Sequence, residues 1–346
     1  MANPTKTLDV ELASVETDAS ATDKDPSCKS SISNQRRSQL ILLSLFASWF
    51  AIDSVYNISN KETLQKVNLQ WTLAALHFLI GGLYYMAMWT VGWKPTPILS
   101  LADVVKLLPL ATFTLITHLS AVMAIYLGSV SFMHIVKASE PLSSAILTIF
   151  ILRERYPWPV YASFLPVIVG IGLASYHENN FSIWALVGAL VSMLASSLRG
   201  IYSKRLMKAP IGTNLTPSNL YGVLTIMAFL LLLVPCIVLE PPVSMYKEQF
   251  ARAAGKGHSA GIIVVWAVLS SVTYTWFNEI SYLALNQISP VTYAVANTSK
   301  RTIIIVSSVL WFRNRITPLG WVGGAISIVG VLVYSLVKLR FKQIKM

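Results

Sequence analysis

Long apolar runs separated by short polar gaps dominate the pattern from residue 39 to residue 337. A hydrocarbon core about 30 Å thick needs about 20 apolar residues in a helix to cross it. The gaps carry the turn residues Pro, Gly and Asn. The pattern therefore predicts an all-α membrane protein with ten transmembrane helices, over residues 39–57, 71–92, 107–127, 130–152, 158–176, 182–203, 218–239, 261–284, 289–312 and 317–337.

Three stretches outside these runs are polar. Residues 1–38 hold six acids, five bases and no apolar stretch of the kind a signal peptide needs, which predicts a disordered cytosolic tail. The acids also argue against a transit peptide, although an atypical targeting segment remains the alternative. Residues 240–260 are predicted as a longer polar loop, and residues 339–346 as a short basic C-terminal tail.

Basic residues near the membrane predict the orientation. With ten crossings, both termini lie on the same side of the bilayer. That side has thirteen lysines and arginines close to the membrane, and the opposite side has seven. The excess predicts that the N- and C-termini are both cytosolic.

An internal repeat appears when the chain is shifted by 160 residues. Arg153 then meets Arg313, Arg155 meets Arg315, Gly170 meets Gly330 and Ser175 meets Ser335. The offset divides the chain into residues 39–177 and 182–338, with five runs in each part. Because five is odd, the two parts enter the membrane from opposite sides, and such inverted repeats are typical of alternating-access carriers.

The composition excludes several classes of protein. The chain is 54% hydrophobic and only 12% charged, whereas soluble domains carry about 25% charged residues. The net charge of +12 would suit a nucleic-acid partner, but the bases lie in gaps between apolar runs, so none is expected. Cys28 and Cys236 are too few for a disulfide scaffold or a multi-cysteine metal site.

Two common catalytic motifs are missing from the sequence: it has no Walker A loop and no His-Glu-x-x-His. We therefore expect neither an enzyme nor a cofactor. An intramembrane acyltransferase that uses His118 or His134 remains a distant alternative.

Ionisable side chains inside the predicted spans are the strongest functional signal, because each costs at least about 2.5–3.5 kcal/mol to insert. The cations are Lys137 in the fourth run, Arg199 in the sixth, and Lys300 and Arg301 in the ninth. The fourth and ninth runs are equivalent in the repeat, so Lys137, Lys300 and Arg301 are expected to converge on one cavity. An anion with several oxygens, such as phosphate, fits that set of donors.

Neutralisation by protein carboxylates is the alternative. The runs contain three acids, Asp53, Glu140 and Glu279, against four bases, so one base stays unmatched even if every acid is paired. Glu140 lies three residues after Lys137 on one helix face, and it could equally pair with Arg199.

Further polar side chains in the spans could line the same cavity. For each of them a hydrogen bond between helices explains the residue equally well. They are His118, Ser120, His134 and Ser139 in the first part, and Tyr274, Asn278, Tyr293 and Asn297 in the second.

Three motifs resemble the signatures of the plastid-type sugar-phosphate/phosphate translocators, the triose-phosphate transporter family within the drug/metabolite transporter superfamily. The first is Ser-Phe-Met-His-Ile-Val-Lys-Ala-Ser-Glu-Pro, residues 131–141, and the second is Ser-Pro-Val-Thr-Tyr-Ala-Val-Ala-Asn-Thr-Ser-Lys-Arg, residues 289–301. The third is Leu-Arg-Gly-Ile-Tyr-Ser-Lys, residues 198–204. The resemblance extends from about residue 39 to the C-terminus.

The resemblance implies ten helices in an inverted arrangement of five and five. It implies obligatory exchange of inorganic phosphate for a phosphorylated C3, C5 or C6 metabolite, such as triose phosphate, 3-phosphoglycerate, phosphoenolpyruvate or a sugar phosphate. It assigns Lys137, Lys300 and Arg301 to the phosphate group and places His118 beside the substrate. It also implies that Glu140 and Arg199 form a supporting pair.

Several substrate-lining positions depart from the triose-phosphate pattern. Phe277 stands where those members have a Tyr, Ala121 where some have a small hydroxyl residue, and Tyr293 where the second signature has a His. One lost hydroxyl removes a bond worth about 0.5–1.5 kcal/mol net. We therefore expect altered contacts at the carbon end of the substrate.

Two other functions remain open: a nucleotide-sugar transporter of the same superfamily, and a membrane receptor or regulatory protein that transports nothing. Relatives without a transit peptide lie in the outermost membrane of a complex plastid or in the Golgi or ER membrane, and we expect one of these locations.

Overall fold

The computed structural model describes residues 26–155, 157–176, 182–206, 211–287, 290–313, 317–340 and 344–345, and the side chains from residue 43 onward with gaps. The described elements are α1 (Pro26–Lys66), α2 (Gln70–Thr90), α3 (Leu101–Leu127), α4 (Val130–Lys137), α5 (Glu140–Leu152), β1 (Glu154–Arg155), α6 (Trp158–Ala162), α7 (Leu165–Tyr176), α8 (Ile183–Leu206), α9 (Pro217–Leu239), α10 (Pro242–Gly255), α11 (Ala260–Gln287), α12 (Pro290–Phe312), α13 (Pro318–Arg340) and β2 (Ile344–Lys345).

The chain divides into two units, residues 1–48 and residues 49–346, and everything below concerns the second. In the first, helix α1 begins at Pro26, and the disordered tail expected over residues 1–38 stays a prediction. Residues 1–25 of that tail lie outside the described residues.

Six of the described helices are long and apolar enough to cross a membrane: Gln70–Thr90, Leu101–Leu127, Ile183–Ser203, Pro217–Leu239, Ala260–Leu283 and Pro318–Val337. This confirms a predominantly helical membrane protein. The other four predicted runs also lie on helices, on α1, on α4 with α5, on α6 with α7, and on α12. Ten crossings therefore remain a prediction.

The fourth predicted run is broken in the middle. Helix α4 ends at Lys137 and α5 begins at Glu140, with Pro141 in its first turn, where the missing N–H has no helical partner to lose. The charges suit the break, because a cation is stabilised at a helix C-terminus and an anion at an N-terminus. Two candidate site residues, Lys137 and Glu140, are thus placed at adjoining helix ends.

Two local features differ from the sequence prediction. The loop expected over residues 240–260 contains α10, whose Ala253 packs with Val67, Leu69 and Ile263. Although the segment is mostly polar, two features favour a helix here: the two prolines at its start and an apolar face. The basic tail over residues 339–346 includes β2, which pairs antiparallel with β1.

Two structural details recur at the 160-residue offset. Arg153 and Arg313 both follow a helix end and both have a left-handed backbone, with φ of 54° and 50°. A Cβ on Gly170 would lie 2.5 Å from the backbone nitrogen of Ser327, and one on Gly330 would lie 2.8 Å from Cγ2 of Val167. These two contacts are reciprocal, because the offset maps Gly170 onto Gly330 and Val167 onto Ser327.

Candidate functional site

A cavity of about 280 Å³ opens between helices of both halves of the chain. Its lining is mainly polar and comes from α1, α3, α4, α5, α8, α11 and α12. The lining residues are Asp53, Tyr56, Asn57, Thr114, Thr117, His118, Ala121, Met133, His134, Lys137, Glu140, Ser196, Arg199, Tyr274, Phe277, Asn278, Ser281, Asn297, Lys300 and Arg301.

The expected phosphate ligands are brought together here. Lys137 comes from the end of α4, and Lys300 and Arg301 come from the middle of α12. Arg199 of α8 joins them as a fourth cation. The convergence of the fourth and ninth predicted runs on one cavity is what the repeat led us to expect.

Two carboxylates in the lining pair with two of these cations. Oε2 of Glu140 lies 2.7 Å from Nη2 of Arg301, and Oδ2 of Asp53 lies 2.7 Å from Nζ of Lys300. Glu140 also accepts a hydrogen bond from Ser196. The ion pair of Glu140 is therefore made with Arg301, while its expected pairing with Arg199 stays a prediction.

The lining carries an excess of positive charge. Four cations and two carboxylates leave a net charge of +2 when the histidines are neutral, from Lys137, Arg199, Lys300 and Arg301 against Asp53 and Glu140. Among the described residues, Lys137 makes no ion pair within 4.0 Å. A lining in which buried cations outnumber carboxylates favours a multiply charged anion.

Glu279 is not part of this balance. It was one of the three acids available to neutralise the cations, but its carboxylate pairs with Lys94 and accepts a hydrogen bond from Tyr85. Ser218 donates to the same carboxylate at 2.9 Å. Lys94 lies between α2 and α3, and partial burial lowers the pKa of its ammonium group.

His118 is held in one orientation by a second histidine that sequence reasoning did not single out. Its Nε2 lies 2.9 Å from Nδ1 of His77, whose Nε2 lies 3.0 Å from Oγ of Ser270. Ser270 donates its own proton to the carbonyl of Ala267, so it accepts from His77. We therefore assign the proton of His118 to Nε2, which leaves Nδ1 as an acceptor.

His134 is fixed in a similar way from α1. Its Nε2 lies 2.9 Å from Oδ1 of Asn57, and Nδ2 of Asn57 donates to Oδ1 of Asp53 at 2.9 Å. Because a carboxylate only accepts, this chain assigns the proton of His134 to Nε2. Its buried Nδ1 has no hydrogen-bond partner among the described residues.

The remaining substrate-lining residues differ in what they offer. Ala121 and Asn297 line the cavity. The ring centre of Phe277 lies 5.1 Å from that of Tyr56 and 5.6 Å from Nζ of Lys300. Phe277 therefore makes a cation–π contact with Lys300, at the position where the triose-phosphate pattern has the hydroxyl of a Tyr. Tyr293 belongs to α12, but its side chain lies outside the described residues.

Sequence reasoning missed several lining residues. Thr117 has a buried hydroxyl without a hydrogen-bond partner among the described residues. Asn57 was also missed; it lies four residues after Asp53 and so on the same face of α1, and that spacing was the available signal. Within the described part of the chain, no group of three or more His, Cys, Asp or Glu could hold a metal ion.

Comparison with known proteins extends the motif resemblance to nearly the whole chain. The model of the Triose-phosphate Transporter family matches residues 40–335. A glucose-6-phosphate/phosphate translocator 1 of Arabidopsis thaliana is 36% identical over 85% of this chain and 74% of its own length. A xylulose 5-phosphate/phosphate translocator of the same plant is 33% identical over 94% of this chain and 78% of its own. A phosphoenolpyruvate/phosphate translocator 3 of Oryza sativa is 32% identical over 85% and 74%.

Proposed function

The chain belongs to the triose-phosphate transporter family, and we propose that it is an antiporter that exchanges inorganic phosphate for a phosphorylated C3, C5 or C6 metabolite. The relatives named above are phosphate translocators for hexose phosphate, pentose phosphate and phosphoenolpyruvate. The observation that carries the proposal is the charge of +2 in the cavity between the two halves. A phosphate monoester brings a charge of about −1.5 to −2 at neutral pH, which balances it.

The phosphate group is assigned to Lys137, Lys300 and Arg301. Lys137 has no ion-pair partner among the described residues and offers a point charge, and Arg301 offers a planar fork that matches two phosphate oxygens. Glu140 holds Arg301 in the absence of substrate, and Arg199 supports the same end of the cavity.

The carbon end of the substrate is assigned to His118, His134, Tyr293 and Asn297. The two histidines present acceptor nitrogens that suit substrate hydroxyls, given the proton positions derived above. Ala121 and Phe277 lack the hydroxyls of the triose-phosphate pattern, so this end is the part of the site that departs from that pattern.

Alternating access follows from two inverted repeats of five helices. The reciprocal contacts of Gly170 and Gly330, and the matching left-handed backbones of Arg153 and Arg313, support this arrangement. Ten crossings then put both termini on one side of the membrane, and the excess of basic residues on that side predicts that it is the cytosolic side. The host membrane, outermost plastid membrane or Golgi or ER, stays a prediction that imaging of the tagged carrier would test.

Strict exchange has an electrostatic cause in this mechanism. When the cavity closes without a ligand, water leaves, and Lys137, Lys300 and Arg301 repel one another. A bound phosphate removes the excess and permits closure. Because the carrier needs a bound phosphate group to change conformation in either direction, uptake of one substrate is coupled to export of the other.

Reconstitution tests the proposal. Purified carrier in liposomes loaded with phosphate should take up labelled phosphate, and should exchange it for at least one of triose phosphate, 3-phosphoglycerate, phosphoenolpyruvate or glucose 6-phosphate. Liposomes without an internal counter-substrate are the control and should show no uptake. Exchange confined to nucleotide sugars would favour the related transporter class, and no exchange of any kind would favour a receptor.

A further inference from the structure

Asp53 occupies the centre of a hydrogen-bonded chain across the cavity. Its Oδ2 lies 2.7 Å from Nζ of Lys300, and its Oδ1 accepts from Asn57, which in turn accepts from His134. The chain thus links α12 through α1 to α4. The side chain of Asp53 is 4% exposed and that of Lys300 is 13% exposed, so neither charge is screened well by water.

Lys300 is confined to this position by aromatic rings. Its ammonium lies 4.7 Å from the ring centre of Trp49 and 5.6 Å from that of Phe277. Both rings attract the cation through their negative faces. A ligand that binds Lys300 must therefore approach it beside Asp53.

We propose that Asp53 is a specificity-determining residue, which favours substrates whose phosphate is their only anionic group over substrates that also carry a carboxylate. This rests on the proposed exchange function and names the substrate class within it. Triose, pentose and hexose phosphates belong to the favoured class, and 3-phosphoglycerate and phosphoenolpyruvate to the disfavoured one.

The charge count gives the reason. With Asp53 ionised, the lining carries +2, which a phosphate dianion balances. A carboxylate on the same substrate would leave one negative charge in excess, and the charge of Asp53 in the lining would repel it, which is costly for like charges. Replacing Asp53 by Asn would raise the lining to +3, which matches a trianion, at nearly unchanged side-chain shape.

Two C3 compounds make a matched pair for the test in the wild-type carrier. Dihydroxyacetone phosphate and 3-phosphoglycerate differ in the carboxylate, and each is used to inhibit phosphate/phosphate exchange in liposomes at a pH well above the second phosphate pKa of about 6. We expect half-inhibition by 3-phosphoglycerate to need about tenfold more compound, because of like-charge repulsion. Equal potency of the two compounds would overturn the proposal without any variant.

The variant Asp53→Asn measures the residue itself. The half-inhibition value for 3-phosphoglycerate, relative to that for dihydroxyacetone phosphate, should fall by about tenfold, whatever the variant's absolute rate of phosphate/phosphate exchange. Glu240→Gln is the matched control. Glu240 is a buried carboxylate outside the cavity that accepts hydrogen bonds from the backbone of Trp71 and Thr72. The ratio of the two half-inhibition values should stay at the wild-type value in this variant.

The outcomes distinguish failure of the role of Asp53 from failure of the proposed exchange function. Absence of phosphate/phosphate exchange in the wild-type carrier defeats the exchange function itself. Wild-type exchange together with an unshifted ratio in a folded Asp53→Asn carrier defeats only the role of Asp53. A folded Asp53→Asn carrier that has lost phosphate exchange also defeats it, because Asp53 would then be needed for binding. If the variant does not fold, the wild-type ratio decides.

Discussion

Arg301 of α12 and Glu140 of α5 form an ion pair with 2.7 Å between Nη2 and Oε2, and this pair joins the second half of the chain to the first. Both side chains line the cavity, so the pair lies in the region that we propose for the phosphate group. A guanidinium that is already oriented by a carboxylate loses less freedom when it binds an anion.

Removing that carboxylate should make the empty carrier depend on phosphate for stability. Glu140→Gln leaves Arg301 without its counter-charge, which we expect to cost about 1–3 kcal/mol of unfolding free energy. At one fixed phosphate concentration we expect phosphate to stabilise the variant more than the wild type, because the freed Arg301 binds it more tightly; the gain is about 2.7 kcal/mol for a concentration 100 times the dissociation constant. Thermal unfolding in detergent with and without phosphate measures this, and an equal phosphate shift in variant and wild type would argue against the assignment.

Lys300→Ala and Arg301→Ala should each abolish phosphate exchange in liposomes without unfolding the carrier, because each removes a charge that balances the substrate. Lys106→Ala is the control, since the side chain of Lys106 is 59% exposed and is not among the residues that line the cavity. Exchange at the normal rate in either site variant would contradict the role. Uncoupled uniport by one of them would support the electrostatic account of closure.

A hydroxyl restored at the carbon end should alter substrate preference. Phe277→Tyr can add one hydrogen bond worth about 0.5–1.5 kcal/mol, so we expect the KM of the substrate that it reaches to fall about two- to tenfold. The comparison is KM for triose phosphate against glucose 6-phosphate. Phe150→Tyr, at a side chain that is 76% exposed, should change neither value.

The close contact between α7 and α13 should be sensitive to a single methyl group. Gly170→Ala would place Cβ 2.5 Å from a backbone nitrogen of Ser327, and overpacking of this kind typically costs about 1–3 kcal/mol. Gly172→Ala, two positions away, has nothing within 4 Å of its Cβ and should be neutral or slightly stabilising. Thermal unfolding of the purified variants gives the comparison, and equal stability of the two would show that the contact is looser than the structure has it.

The sequence was sufficient for the parts of the site that obey a local or periodic rule. Spacing placed His134, Lys137 and Glu140 together on one segment, and the repeat related that segment to the one that carries Lys300 and Arg301. The pairing of the acids was not predictable, because ion pairs between helices depend on rotations and crossings that no spacing records. Glu279 illustrates this, since its partner Lys94 lies in a connection between helices.

The helical details failed for comparable reasons. A polar segment such as α10 becomes helical only because Ala253 finds apolar neighbours from elsewhere in the chain. The break between Lys137 and Glu140 lies inside an otherwise continuous run, where hydropathy alone gives no sign of it. Pro141 was a visible signal, since proline favours the first turn of a helix.

The surplus of two positive charges has a consequence for how membrane voltage acts on the carrier. In the proposed cycle a site with a bound dianion is electrically neutral, so its crossing does no work against the potential. An empty site would move two positive charges, each worth about 2.3 kcal/mol per 100 mV. The exchange should therefore carry no net current, and its rate should not depend on the membrane potential. Any current through the unloaded carrier should depend on the sign of that potential.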